Sequence, residues 1–204
     1  MKNGLILQFG VYDGWSLEQI AAKYPDRTIY GFDSFEGIEE DWGILHKKGA
    51  MKTTIPIMPD NVRLVVGMIE NTLPDFLSEH DEPITFVHID TDTYTPAKFI
   101  LDHIRTRLIP GSVILFDEYW NYPGWEEHEY RAFKEFQKEN PCIRFGQDNE
   151  TEYFKRSICS MGWRRLVSRL VKHPVRVIKS GLRRICGNTN DNHPSMAFEV
   201  KQIL

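Results

Sequence analysis

Two acidic motifs stand at the ends of apolar runs. His88-Ile89-Asp90-Thr91-Asp92 follows Ile84 to Val87, and Asp117-Glu118-Tyr119 follows Val113 to Phe116. Carboxylates brought together at one place offer hard oxygen ligands, which suit Mg2+, Ca2+ or Mn2+. Asp90 and Asp117 are the acids best read as functional. Asp92 has a second reading, because Thr93 to Lys98 opens a helical pattern and an Asp just before a helix is a common cap. His88 lies inside an apolar run and reads as a core histidine.

A third constellation is Gln8-Phe9-Gly10-Val11-Tyr12-Asp13-Gly14-Trp15-Ser16. Leu5 to Leu7 before it read as a strand, and Leu17, Ile20, Ala21 and Tyr24 after it fall at helical spacing. A glycine-containing turn between strand and helix lets a ligand approach the backbone, and the helix N-terminus presents free N–H groups. The next apolar run, Thr28 to Phe32, ends in Asp33, an acid placed to hold a ribose diol. Gly10 and Gly14 do not complete the spacing of a dinucleotide fingerprint, so the turn suits a small nucleoside cofactor better than a pyrophosphate.

These motifs need a frame that sets their ends side by side. Apolar runs at 4–9, 28–32, 62–66, 84–89, 112–116, 142–146 and 196–203 read as strands, and amphipathic stretches at 15–24, 69–79, 94–108 and 125–139 read as helices. The alternation predicts an α/β, Rossmann-like, doubly wound and mostly parallel seven-stranded sheet. The middle strands are almost continuously apolar, as sheets covered on both faces require. In such a sheet ligands sit beyond the carboxyl ends of the strands, so the acidic motifs and the glycine turn are expected on one rim. Residues 36–60 carry Gly37, Gly43, Gly49, Pro56 and Pro59 and read as a long loop with little regular structure. A loop of that length in a compact domain tends to be functional.

At 204 residues, with 41% hydrophobic and 26% charged content, the chain is long enough for one domain with a substantial core. No apolar run approaches the ~20 residues of a membrane span. The immediate entry into a strand predicts no signal peptide. Cys142, Cys159 and Cys186 show no metal-type spacing, which fits a reducing, cytoplasmic setting. The net charge of −4 hides an asymmetry: residues 155–186 hold ten Lys and Arg and no Asp or Glu. There, Trp163, Leu166, Leu170, Val175, Ile178 and Leu182 fall at helical spacing, interrupted by Pro174. Two basic amphipathic helices follow, and they divide the chain into a core (1–154), a basic insertion (155–194) and a final core strand (195–204). The helices over 160–186 read either as a lid or homodimer element, or as a peripheral contact with an anionic membrane surface. Nucleic acid is not expected as a partner, since no Asn-Pro-Pro-Tyr type motif is present.

Taken together, Gln8 to Ser16, Tyr30-Gly31-Phe32-Asp33-Ser34-Phe35-Glu36-Gly37, Gly67 with Thr72-Leu73-Pro74, His88 to Tyr94, and Pro110-Gly111 through Tyr119 resemble the class I S-adenosylmethionine-dependent methyltransferases. More narrowly they resemble the metal-dependent macrocin O-methyltransferase family, which acts on sugar hydroxyls of natural products. The resemblance covers well over half the chain. It implies that Gly10, Tyr12, Gly14, Ser16 and Gly67 surround the cofactor, that Asp33 binds its ribose, and that Ser34 and Phe35 border the adenosine. By comparison with catechol O-methyltransferase it implies Asp90, Asp117 and Glu118 as ligands of Mg2+ or another divalent cation.

The chain departs from the family pattern at three positions. Gln8 replaces a usual Glu, Glu118 replaces Asp or Asn, and Thr93 stands where the catechol enzymes have a lysine base. Asp92 is then the better candidate for the base, beside Asp90 in the catalytic set. The activity implied is metal-assisted methyl transfer to a hydroxyl of a sugar or small molecule. The alternatives are a metal-dependent hydroxylase on a related scaffold, and a domain that binds cofactor or glycan without turnover.

Overall fold

The computed structural model describes residues 3–42, 46–120, 122–145 and 196–203. Its elements run β1 (Leu5–Phe9), α1 (Trp15–Lys23), β2 (Ile29–Asp33), β3 (Val62–Val66), α2 (Ile69–Glu79), β4 (Ile84–Ile89), α3 (Tyr94–Ile104), β5 (Leu108–Phe116), α4 (Glu129–Glu139), β6 (Ile143–Phe145) and β7 (Met196–Ile203). The strands form one seven-stranded sheet in the order β3-β2-β1-β4-β5-β7-β6. β3 to β5 are mutually parallel, and β7 runs antiparallel to both β5 and β6. The expected α/β, mostly parallel architecture is therefore present. The chain winds outward from β1 to β3 and returns to place β4 beside β1. That reversal is the switch point at which open sheets bind ligands.

Side-chain alternation divides the interior into two cores. Leu5, Leu7 and Phe9 of β1 join Val87, Ile89, Ile114 and Phe116 beneath Leu73, Phe76, Ile100, Leu101, Phe133 and Phe136 of α2, α3 and α4. Ile6, Phe86, Val113 and Leu115 face the other way, into a cluster that holds Leu17, Ile20 and Ala21 of α1. Every residue of β1 and of β4 is buried, including the polar Gln8, Thr85 and His88, in strands expected to be almost continuously apolar. Burial of each of their Leu, Ile, Val and Phe side chains stabilises the fold by about 1.5–3 kcal/mol. Phe9 stacks on Phe32 at 4.7 Å between ring centroids, so the core extends up to the rim where the site lies.

Three boundaries differ from the sequence reading. The helix expected over 94–108 ends at Ile104, gives one 3-10 turn at Arg105–Arg107, and passes straight into β5 at Leu108. Pro110 and Gly111 suggest a turn but lie within the strand, whose exposed start tolerates a residue without an N–H. The helix expected over 125–139 is a 3-10 turn at Trp125–Glu127 followed by α4 from Glu129. The loop at 36–60 is also more ordered than expected. Ile38 N–H donates to Ala50 O and Ile38 O accepts the Gly49 N–H, and Trp42 pairs with His46 in an antiparallel bridge.

Asn61 supplies a tie that the sequence did not suggest. Its side-chain amide donates to the carbonyls of Ala21 and Tyr24, both at 3.0 Å, and so satisfies the end of α1 from the start of β3. The basic stretch 160–186, the insertion 155–194 that contains it, and Cys159 and Cys186 lie outside the described residues. Among the described residues no helix is long and apolar enough to cross a membrane.

Candidate active site

The sheet ladder continues one step past its strands and sets the rim in order. Gly67 N–H donates to Asp33 O at 3.0 Å, Gly10 N–H to Phe32 O at 2.9 Å, Asp90 N–H to Phe9 O at 2.9 Å, and Asp117 N–H to Ile89 O at 3.0 Å. The glycine turn, the ribose-type acid and the two acidic motifs are thereby set side by side by backbone bonds.

Asp33 organises the turn. Its Oδ2 accepts the N–H groups of Val11 at 2.7 Å and Tyr12 at 2.8 Å, and its Oδ1 accepts that of Phe35 at 2.7 Å. Each carboxylate oxygen has two acceptor positions, so Oδ1 keeps one for a ligand hydroxyl. Gln8 is fully buried below the turn, and its amide donates to Gly10 O at 2.8 Å and to Ser16 Oγ at 2.6 Å. A carboxylate at this position would meet Gly10 O as acceptor against acceptor, which gives the Gln its structural role. Gly10 has φ 85°, and a Cβ there would lie 1.8 Å from the carbonyl oxygen of Asp90, a space only glycine leaves open.

The acids crowd the opposite side. Asp92 holds φ 63°, an unusual conformation for a residue other than glycine. Burial first, and then the neighbouring carboxylates led by Asp117, hold the Asp90 carboxyl well above its ordinary range. Glu118 is buried, and burial together with Asp92 pushes its carboxyl up to about 7. A further carboxylate, Glu129 at the start of α4, is fully buried. It accepts the Thr91 N–H at 3.2 Å and is pushed well above its ordinary range by burial and by Asp92.

A cavity of about 450 Å³ opens between the two sides. Gly10, Tyr12, Asp33, Ser34, Gly67, Asp90, Asp92, Asp117 and Glu118 all line it. Gly14, Ser16 and Phe35, also expected at the cofactor, are not among the residues that line this cavity. The Phe35 side chain is buried in the α1 core, Ser16 is bound to Gln8, and Gly14 forms the left-handed cap of α1 beneath Met58. His88 is fully buried in β4, off the cavity, and burial lowers its imidazole to about 3.

The loop at 36–60 contributes Ile38, Glu39, Trp42, His46 and Met51 to the wall. Glu40 anchors it by accepting the Thr95 N–H at 3.0 Å, at the first turn of α3. Trp120, Tyr122 and Trp125 do not line the cavity, although Tyr122 packs edge-on against Trp42 at 5.9 Å. Trp42, His46 and Glu129 escaped the sequence reading. The first two lie in a stretch with no periodicity, and Glu129 looks like an ordinary first-turn acid.

The cavity suits a nucleoside cofactor, since the backbone turn from Gly10 to Tyr12 and Gly67 line it and Asp33 Oδ1 keeps an acceptor position on its wall. Asp90, Asp92, Asp117 and Glu118 offer the hard oxygens that a divalent cation takes, with the His46 imidazole also on the wall. Among the described residues, however, no group of three or more His, Cys, Asp or Glu is arranged to hold a metal ion.

Comparison with known proteins agrees with this geometry. The family model of a methyltransferase domain matches residues 7–119, more than half the chain. The structure of CalS11, a calicheamicin methyltransferase, is 25% identical, with a TM-score of 0.55 over 72% of this chain and 70% of that one. Its apo structure, described as a TDP-rhamnose 3'-O-methyltransferase, is 26% identical, with a TM-score of 0.51 over 72% and 69%. The O-methyltransferase NovP shares the fold at 20% identity, with a TM-score of 0.54 over 72% and 69%. Among curated proteins no sequence matches significantly. The matched residues span the glycine turn, Asp33 and both acidic motifs: the chain belongs to the methyltransferase-domain family and is a class I S-adenosylmethionine-dependent O-methyltransferase that resembles the macrocin enzymes.

Proposed function

We propose that the acceptor is a hydroxyl of a sugar or another small molecule, and that a divalent cation, Mg2+ in the first instance, assists the transfer. The observation that carries this reading is the single cavity lined by Gly10, Asp33 and Gly67 on one side and Asp90, Asp92, Asp117 and Glu118 on the other. The description of CalS11 as a nucleotide-sugar O-methyltransferase supports a sugar. When bound, S-adenosylmethionine supplies an electrophilic methyl group and the cation supplies a Lewis acid that makes a hydroxyl more acidic.

The chain's own residues do the rest. The turn at Gly10 to Tyr12 and the free Oδ1 position of Asp33 hold the nucleoside. Asp90, Asp117 and Glu118 would supply the oxygens for the cation. Asp92 takes the acceptor's proton as general base, its strained backbone aiming the carboxylate into the cavity. Trp42, His46 and Ile38 roof the acceptor and limit water, so that positioning supplies much of the rate. The hydroxylase alternative is not favoured, since the family match is to methyltransferases.

The test is calorimetry of S-adenosylmethionine with wild type and Asp33→Ala, followed by mass spectrometry of sugar and phenol acceptors with Mg2+ or with chelator. Binding weakened in Asp33→Ala, and a methylated sugar that chelator abolishes, is the expected result. Turnover that persists undiminished in chelator overturns the cation. Binding without turnover on any acceptor returns the non-catalytic reading.

A further inference from the structure

Asp92 stands at the centre of a three-residue turn. Its φ is 63°, and the Thr93 N–H donates back to Thr91 O at 2.6 Å. A bond from residue i+2 back to residue i across a left-handed centre makes a γ-turn of the rare, strained kind. Such a turn persists only where its surroundings fix it. The helix that follows does not fix it. Thr93 is the N-cap of α3 but makes no side-chain capping bond, and its Oγ1 donates instead to Thr91 O at 3.3 Å.

The hold comes from α4, on both sides of Asp92. Before it, the Thr91 N–H reaches Glu129 Oε1 at 3.2 Å. After it, the Tyr94 O–H donates to Glu135 Oε2 at 2.5 Å. The Arg131 guanidinium lies 4.6 Å over the Tyr94 ring, and its Nε donates to Glu135 Oε1 at 3.0 Å. Ring, cation and carboxylate close one lock between the first residue of α3 and the middle of α4. Bonds to ionised groups and cations over rings are among the stronger side-chain contacts.

We infer that Tyr94, locked by Glu135 and Arg131, is a positioning residue for methyl transfer, holding the γ-turn that aims the Asp92 carboxylate into the cavity. This rests on the reading of Asp92 as the base. Thr91, Asp92 and Thr93 line the cavity and Tyr94 does not, so Tyr94 acts through the turn and not on the acceptor. A misplacement of about 1 Å at a reacting group can cost about 10²-fold in rate.

The experiment measures initial rates at saturating S-adenosylmethionine, with methyl rhamnoside and catechol as acceptor probes. The proteins are wild type, Tyr94→Phe, Asp92→Asn, the double variant of these two, and Lys98→Met. Tyr94→Phe keeps the ring under Arg131 and removes only the bond to Glu135. Lys98→Met is the control, since it cuts a different tie between α3 and α4, to Glu139 at 2.7 Å. We expect Tyr94→Phe to lower kcat about tenfold with KM within about twofold, and Lys98→Met to match wild type. Added to Asp92→Asn, Tyr94→Phe should cost nothing more, because it acts through that carboxylate. Glu135→Gln, which keeps an oxygen for the phenol, should retain most of the kcat that Glu135→Ala loses. Wild-type kcat in Tyr94→Phe, an equal loss in Lys98→Met, or a further tenfold loss in the double variant overturns the inference and leaves Asp92 as the base. An undiminished rate in Asp92→Asn overturns both. Amide exchange on the same proteins needs no acceptor. The Thr93 N–H should exchange about tenfold faster in Tyr94→Phe than in wild type or Lys98→Met. Equal exchange in all three overturns the lock, whether or not either probe is methylated.

Discussion

Gly10 and Asp90 meet at the switch point of the sheet with no room between them: a Cβ on residue 10 would fall 1.8 Å from the Asp90 carbonyl oxygen. The cofactor turn and the first acidic motif are thus one packed unit. Gly10→Ala must either push β1 and β4 apart at the rim or tilt the Asp90 peptide, and it also places alanine at φ 85°. We expect a loss of at least about 2 kcal/mol in unfolding free energy, together with loss of S-adenosylmethionine binding. Denaturant melts and calorimetry on the same preparation test this. Unchanged cofactor affinity would show that the two sides of the cavity are not coupled through this contact.

Asp33→Asn should be nearly as damaging as Asp33→Ala. All three hydrogen bonds to this carboxylate come from backbone N–H groups, so an Asn side chain turns a donor toward at least one of them. Charge-assisted bonds of this kind contribute about 1.5–3 kcal/mol each. The expected outcome is a cofactor Kd raised at least about tenfold in both variants, and a lowered melting temperature in both. An Asn variant with wild-type affinity would remove Asp33 from the cofactor site.

The strand ends that carry Gly10, Asp33, Gly67, Asp90 and Asp117 were legible because apolar runs announce buried strands and a parallel sheet aligns their ends. The burial of the Phe35 side chain was not legible, for a local reason. With φ 60° it turns back into the α1 core, and nothing in Ser34-Phe35-Glu36 announces that turn. Glu129 was illegible for a tertiary reason. A first-turn acid becomes a buried one only when Phe133 and Phe136 dock α4 against the β4 and β5 side of the sheet. The wall formed by Trp42 and His46 depends on a bridge between two residues in a segment without periodicity.

Asp92→Asn should separate chemistry from binding. Asn tolerates the positive φ of this position as well as Asp does, so the loop is expected to keep its shape. Removal of a general base typically costs 10²–10⁴-fold in turnover. We expect kcat to fall within about that range while cofactor affinity stays within about threefold. A kcat within threefold of wild type, measured from initial rates at saturating cofactor, would assign the base elsewhere.

His88 and Glu118 should give pH dependences of opposite sign. The imidazole, lowered to about 3 by burial, binds its proton more weakly in the folded chain than in the unfolded one. Its contribution to stability is therefore full above the ordinary histidine pKa and is lost as pH falls from about 6.5 toward 3. Glu118, raised to about 7 by burial and by Asp92, binds its proton more tightly when folded. In the metal-free protein its contribution is full below the ordinary carboxylate pKa and is lost as pH rises from about 4.5 to 7. Each slope is at most about 1.4 kcal/mol per pH unit. Urea melts between pH 4.5 and 6.5 should show that Glu118→Gln makes the fall on acidification steeper, and that His88→Gln makes it shallower. Parallel curves for wild type and both variants would contradict the two shifts.

Glu40 and Thr95 give the last test, that of the wall itself. The loop at 36–60 reaches the sheet's rim through the Glu40 carboxylate, which accepts the Thr95 N–H at 3.0 Å and so caps α3 from outside its own chain segment. An N-terminal cap contributes about 0.5–2 kcal/mol, and an acid there also answers the helix dipole. Glu40→Ala releases that anchor without touching Asp33 or the acids. The loop carries Ile38, Trp42 and His46 of the cavity, so a looser wall should reach the acceptor before it reaches the chemistry. The expected outcome is a KM for the acceptor raised by roughly fivefold or more, with kcat within about twofold and amide exchange faster at Thr95. A fall in kcat with KM unchanged would mean that the loop positions the reacting groups, and that its anchoring by Glu40 is part of catalysis.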